Sequence, residues 1–128
     1  MQIPVKNTVT VQGSIPGNLL QRHLNAFGEN DLEAILDDFT NESVLITPEA
    51  SYTGLEEIRG FFAGLIAHFP KQKSSFQIEK TVIKDDLVYI TWRGKTPSLE
   101  VLFATDTFII KNGKIHMQTF AGQLKFID

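Results

Sequence analysis

"FATDTFIIKNGKI", residues 103–115, reads as a β-strand that runs into a tight turn and starts back. Thr, Phe and Ile suit a pleated, half-buried surface, and Asn112-Gly113 is the strongest short signal for a two-residue hairpin. One residue does not fit, because Asp106 stands in the middle of an apolar and Thr-rich run. It faces either water or the interior. Side chains alternate along a strand, so Asp106 shares a face with Leu102, Ala104, Phe108 and Ile110, whereas Thr105 and Thr107 lie opposite. That parity points Asp106 inward. An inward carboxyl group has its charged form disfavoured, which raises its pKa and lets it act as an acid in a pocket. A structural Asp bonded to a neighbour, or one on an exposed edge, is the alternative.

Outward from this hairpin the pattern continues. "IHMQTFAGQLKFI" is the last strand, "LEVLFATDTFII" the one before it, and "KTPS" breaks the chain ahead of "LVYITWRG". Asp85-Asp86 marks a turn, and Phe76, Ile78 and Val82 share one parity on an earlier strand. Everything after about residue 75 therefore reads as antiparallel sheet. The first half has helical period instead. Leu20, Leu24 and Phe27 place a helix over 18–28 that stops at Gly28. Asn30 with Glu33 forms a capping box for a second helix over 30–39, carrying Leu32, Ile35, Leu36 and Phe39. After a short strand, "SVLITP", Thr53 and Glu56 repeat the box ahead of a third helix over 54–69, closed by Pro70. "TVTVQG" near the start is compatible with a short edge strand. Helices first and hairpins after them mean an α+β fold. A curved antiparallel sheet with three N-terminal helices in its concave face encloses a cone, with residues 1–17 as an extension and 18–128 as the domain.

The totals narrow the function. At 128 residues and 42% hydrophobic content the chain is one domain with a sizeable core. Its net charge of −3 spreads 12 basic residues among 15 acidic ones, which argues against a nucleic-acid surface. No apolar run is long enough to span a membrane, and no apolar segment follows a basic start, so the expected location is the cytoplasm. Cysteine is absent, which removes thiol chemistry. The three His residues lack metal-ligand spacing, and there is no Gly-rich phosphate loop, so neither metal nor organic cofactor is indicated.

"YTGLEEIRGFF", residues 52–62, resembles the signature of SnoaL-like proteins in the nuclear transport factor 2-like superfamily. "GENDLEAILDDFTNESVLITP" and "DTFIIKNGKI" are similar to the stretches that flank it there. The resemblance covers roughly 18–126 and implies the cone fold, a homodimer through the outer sheet face, and a cavity for a small, mainly apolar molecule. Function varies widely on this fold, among isomerases, dehydratases, epoxide hydrolases, cyclases and domains without turnover. Carried over from ketosteroid isomerase, a relative in that superfamily, the pocket Tyr position falls on His23 and the general-base position on Thr47. The protonated-Asp position falls on Asp106 when the Asn-Gly hairpin sets the register; setting it on "WRG" and "LEV" puts Phe103 there. Thr47 cannot serve as the base, so that enzyme's proton shuttle does not transfer. His23 and Asp106 are the implied acid/base pair, with Thr47, Phe62, Trp92, Phe108, Gln118 and Phe120 as ligand-binding positions. His23 also falls on the apolar side of its helix, between Leu20 and Phe27; a core histidine that is simply hydrogen-bonded is the other reading. His116 is placed at the rim of the pocket and His68 at the end of the third helix, as a partner of its dipole.

Overall fold

The computed structural model describes residues 14–127. The possible edge strand "TVTVQG" lies outside them. Helix α1 (Ile15–Gly28) is capped by Ser14, whose hydroxyl accepts from the Gly17 amide at 3.0 Å. Helix α2 (Leu32–Leu36) and helix α3 (Gly54–Ile66) bracket strands β1 (Phe39–Ile46) and β2 (Ser51–Thr53). Four long strands follow: β3 (Ser75–Lys84), β4 (Leu87–Lys95), β5 (Leu99–Lys111) and β6 (Lys114–Phe126). They form one six-stranded sheet in the order β2-β1-β6-β5-β4-β3. The last four strands pair antiparallel, as expected, and β1 joins β6 in parallel. The helices cover the concave face, where Leu20, Ile58, Phe62 and Ile90 are almost fully buried. Among the described residues no helix is long and apolar enough to cross a membrane.

The sheet bends where its strands slip register. Ile78 pairs with Trp92 but Lys80 with Thr91, so Glu79 is an extra residue on β3. Between β5 and β6 the pairing passes from Val101–Leu124 to Phe103–Gln123, which leaves Leu102 extra. The β4–β5 pairing slips at the same level, between Trp92 and Gly94. Bulges increase local twist and bend the strand that carries them. They also reverse parity. Leu102 and Val82, expected inside from simple alternation, are each 39% exposed, and Thr81 and Val101 turn inward instead. Phe103 is 49% exposed, and Ala104, Asp106, Phe108 and Ile110 all face the core. A second parity effect follows from the row Trp92–Ala104–Gly122. A Cβ on Gly122 would lie 3.1 Å from the Ala104 Cβ and 3.2 Å from the Phe103 carbonyl oxygen, so this row has small neighbours beside its indole.

Boundaries differ from the local pattern in all three helices: α1 begins at Ile15, three residues ahead of the expected start at 18, and α2 and α3 each end three residues early. Helix α2 ends at Leu36, and Phe39, read as its last apolar residue, opens β1. The Ile115 amide donates to the Asp38 carbonyl, so pairing with β6 captures the chain there. The α2 cap is Asp31, which accepts from the Ala34 amide at 3.1 Å, and Glu33 pairs with Arg59 of α3 instead of closing a box. Asn30 has another task. At φ 55° it donates to the Phe69 carbonyl at 2.8 Å and accepts from the Lys71 amide at 2.8 Å, tying the end of α1 to the segment after α3. Helix α3 stops at Ile66, three residues short of expectation, with Phe69 still buried. At its start the Thr53 amide bonds to Glu57 rather than to Glu56.

Asn30→Ala removes both ties and puts a Cβ-bearing residue without a local hydrogen bond at positive φ. It should destabilise the chain by about 2–3 kcal/mol, and Asn30→Gly by less, because glycine adopts that backbone freely. Urea unfolding of the two variants checks the order.

Candidate functional site

Between the helices and the bend of the sheet lies a cavity with about 50 Å³ of free space, room for a few water molecules. Its walls are mostly rings. Helix α1 contributes His23 and Phe27, α3 contributes Phe61 and Phe62, and the strands contribute Trp92, Phe108 and Phe120. Trp92 and Phe120 lie nearly parallel, with centroids 6.2 Å apart. Three polar side chains interrupt this surface: His23, Asp106 and Gln118.

Asp106 is 7% exposed. Ile90 and Phe120 flank it directly across β4 and β6, and the diagonal neighbours supply its hydrogen bonds. The Trp92 indole N–H donates to Oδ1 at 2.7 Å, and the Gln118 amide donates to Oδ2 at 2.8 Å. Burial disfavours the carboxylate more strongly than these donors and nearby His23 favour it, so the pKa is pushed up to about 6. The answer to the Asp106 question is therefore inward, in a partly compensated site. Its direct partners are Trp92 and Gln118 rather than His23.

His23 is 3% exposed and packs edge-on against Phe39, Phe62 and Phe108, with centroids 5.6–5.8 Å away. Its Nδ1 lies 3.4 Å from Oδ2 of Asp38, a residue that is completely buried. The other oxygen of Asp38 receives Arg22 Nε at 2.9 Å and Nη2 at 2.7 Å. Sequence reasoning missed Asp38. In the doublet Asp37-Asp38 one residue is exposed and the other buried, and nothing local distinguishes them. The parallel pairing with β6 turns Asp38 inward, and Arg22, 16 positions earlier, meets it there.

The remaining candidates divide. Phe62, Trp92, Phe108, Gln118 and Phe120 all line the cavity. Thr47 does not. β1 ends one residue before it, and its hydroxyl closes the turn to Ala50, accepting from the Glu49 and Ala50 amides at 3.3 and 3.2 Å. His116 is partly buried on β6 without lining the cavity, and the His68 ring meets Phe126. Among the described residues no three His, Asp or Glu side chains converge as metal ligands.

The sequence matches the profile of the SnoaL-like domain over residues 20–116. The chain belongs to this family. No curated protein matches it in sequence. Solved structures resemble the SnoaL-like cone over most of its length. SalBIII, described as an epoxide hydrolase/cyclase-like enzyme in pyran ring formation in the polyether salinomycin, superposes with a TM-score of 0.75 at 13% identity, covering 92% of this chain and all of that one. TerC, co-crystallised with polyporic acid, gives 0.72 at 15% identity over 86% and 92%. A protein described as a polyketide cyclase from Sinorhizobium meliloti gives 0.63 at 20% identity over 80% and 93%. At these identities the likeness concerns the nuclear transport factor 2-like fold alone.

The raised pKa of Asp106 has a consequence for stability. An unfolded Asp titrates near 3.9, so between about pH 4 and 6 the folded chain holds one proton more than the unfolded one. Stability from this group is full below pH 4 and is lost as pH rises through 6, on the order of 3 kcal/mol in all. In Asp106→Asn the amide oxygen still accepts from Trp92, and a flipped Gln118 accepts from the amide nitrogen. This variant should be more stable than the parent at pH 7.5, with the gap closing toward pH 4. Thermal melts across that range test it; an equal gap at both ends would show that Asp106 is not the group that titrates.

Proposed function

We propose that this SnoaL-like chain seats a small, mainly apolar ring compound in its cone. In this reading His23 and Asp106 act on it as an acid/base pair, in chemistry of the isomerase, cyclase or lyase type. One observation carries the reading: two titratable side chains are buried in the wall of a cavity that is otherwise aromatic. Burying them costs stability that plain core residues would not, and Asp106 near pKa 6 can both give and take a proton close to neutral pH. A ring seats against Trp92 and Phe120, with an oxygen substituent near Asp106. The likeness to SalBIII and to the Sinorhizobium meliloti protein supports ring-forming chemistry as the class to try first. With Thr47 closing a turn, the pair must work without a second carboxylate at that position.

A second reading is binding without turnover. It is favoured by the fact that both oxygens of Asp106 already have protein donors. Either way the free space is smaller than a six-membered ring needs, so entry requires the partly buried Phe61 and Leu65 of α3 to move. The same proposal includes a two-fold dimer. The cross-strand row Val82–Tyr89–Thr107–Thr119–Ile46 and the row Leu87–Ile109–Met117–Val44 leave the centre of the outer sheet face uncharged, a surface suited to an isologous contact.

Hydrophobic ring compounds that fit should raise the melting temperature by several degrees, since a ligand at a hundred times its Kd adds about 2.7 kcal/mol. Product formation that disappears in His23→Gln while binding persists supports the enzyme; binding with no conversion supports the second reading. If no ring compound shifts the melt or perturbs Trp92, the single tryptophan of the chain, the pocket reading fails. Light scattering at micromolar concentration should give twice the monomer mass, and a monomer alone would remove the dimer.

A further inference from the structure

Asp38 is not part of the cavity wall, yet it controls a side chain that is. Two buried atoms face each other across 3.4 Å, Nδ1 of His23 and Oδ2 of Asp38, and neither has another hydrogen-bond partner. The contact is longer and less aligned than a formed hydrogen bond, and a small ring rotation closes it. Leaving both atoms unmet in a dry interior would be costly, whereas a proton on Nδ1 satisfies them together. Arg22 determines which oxygen is available. Its Nε and Nη2 both hold Oδ1, so Oδ2 is the oxygen turned to His23.

The imidazole then has its proton assigned. In a neutral ring one nitrogen donates and the other accepts, and the choice follows from the partner of either one. With Nδ1–H directed to Asp38, Nε2 carries the lone pair on the edge turned away from it. We propose that Asp38, oriented by Arg22, is a positioning residue that holds His23 as the Nδ1–H tautomer and thereby makes Nε2 a hydrogen-bond acceptor and proton-taking atom for the cavity. The consequence for chemistry rests on the reading of the cavity as a ligand site. Within that reading His23 is the base, and Asp106 across the cavity is the group that returns the proton. The cycle balances in three transfers: a proton leaves the bound compound for Nε2, Asp106, when protonated, delivers one to a different atom of it, and the proton on Nε2 returns to Asp106 through water admitted as the product leaves. The tautomer itself does not depend on any ligand.

Long-range nitrogen–proton correlation spectra of the full chain, labelled with nitrogen-15 on histidine, read the tautomer directly. The three His residues are assigned by single replacement with Gln. Expected for His23 at neutral charge is an excess of the Nδ1–H form over Nε2–H of roughly tenfold or more, the strength of one hydrogen bond to a charged group. In Asp38→Asn, Arg22 retains the amide oxygen and the amide NH₂ faces Nδ1 as a donor, so the ratio should invert in a ring that stays in place. A purely structural Asp38 would change stability and leave the ratio unmoved. An Nε2–H form in the parent protein overturns the proposal, even if no Asp38 variant folds. So does an unchanged ratio in a folded Asp38→Asn. Should the tautomer stand while no ring compound binds, the pocket reading fails by itself.

Discussion

The bend of the sheet is the constraint on which the other features depend. Three register slips stand at one level of β3, β4 and β5, beside Trp92. Without them β3 and the first half of β5 would keep simple alternation, with Val82 and Leu102 facing inward. With them the strands curl around the helices, and the inward face changes from aliphatic packing to a ring-lined hollow. Trp92 lies at the bend with Ile78 on one side of its row and the small Ala104 and Gly122 on the other. The space those two residues leave lets an indole donate to Asp106 on the next strand. Bend, indole and carboxyl group are one arrangement.

That arrangement has an energetic direction. A buried carboxyl group satisfied by one indole and one amide is still less comfortable ionised than in water, which is why burial outweighs both donors in its pKa. A leucine there would fill the core at no such penalty. The His23–Asp38–Arg22 cluster repeats the pattern on the helical side, where a carboxylate without solvent contact is balanced by a guanidinium that reaches the surface. Two separate polar constructions converge on a cavity whose other walls are apolar. Folding alone requires neither.

Much of this was legible in the sequence, and what was not has physical reasons. The Asn112-Gly113 hairpin, with both residues at positive φ, depends on local chemistry and reads directly. The helical periods of Leu20, Leu24, Phe27 and of Ile58, Phe62 likewise mark faces that the structure buries wholly or in part. Alternation placed Asp106 on the same side as Phe108 and Ile110, but it misplaced Leu102 and Val82, because a bulge adds one residue with no distinctive composition. Phe39 fitted the period of α2 and was taken by β1, since a tertiary pairing outweighed a helix of five residues. Thr47 closes a turn with its own neighbours Glu49 and Ala50, whereas Asn30 has the chemistry of a cap and only its distant contacts with Phe69 and Lys71 make it a tie. Asp38 was hidden for the same reason: its partners are Arg22, His23 and the Ile115 amide, none of them a sequence neighbour.

The parallel seam between β1 and β6 bears on how the molecule forms. Ile46 lies beside Thr119, so the strand that follows the first two helices waits for the last strand before one of its edges is occupied. The hairpins of β3 to β6 close over short separations and can assemble among themselves. The seam closes a loop of some seventy residues, and contacts of that range slow folding. During synthesis α1 and α2 emerge with apolar faces that have no sheet to cover. Asp38, hydrogen-bonded through its backbone to Ile115, sits at the start of this seam. Completion of the sheet and enclosure of Asp38 are therefore coupled, because the bond from Ile115 to Asp38 belongs to both.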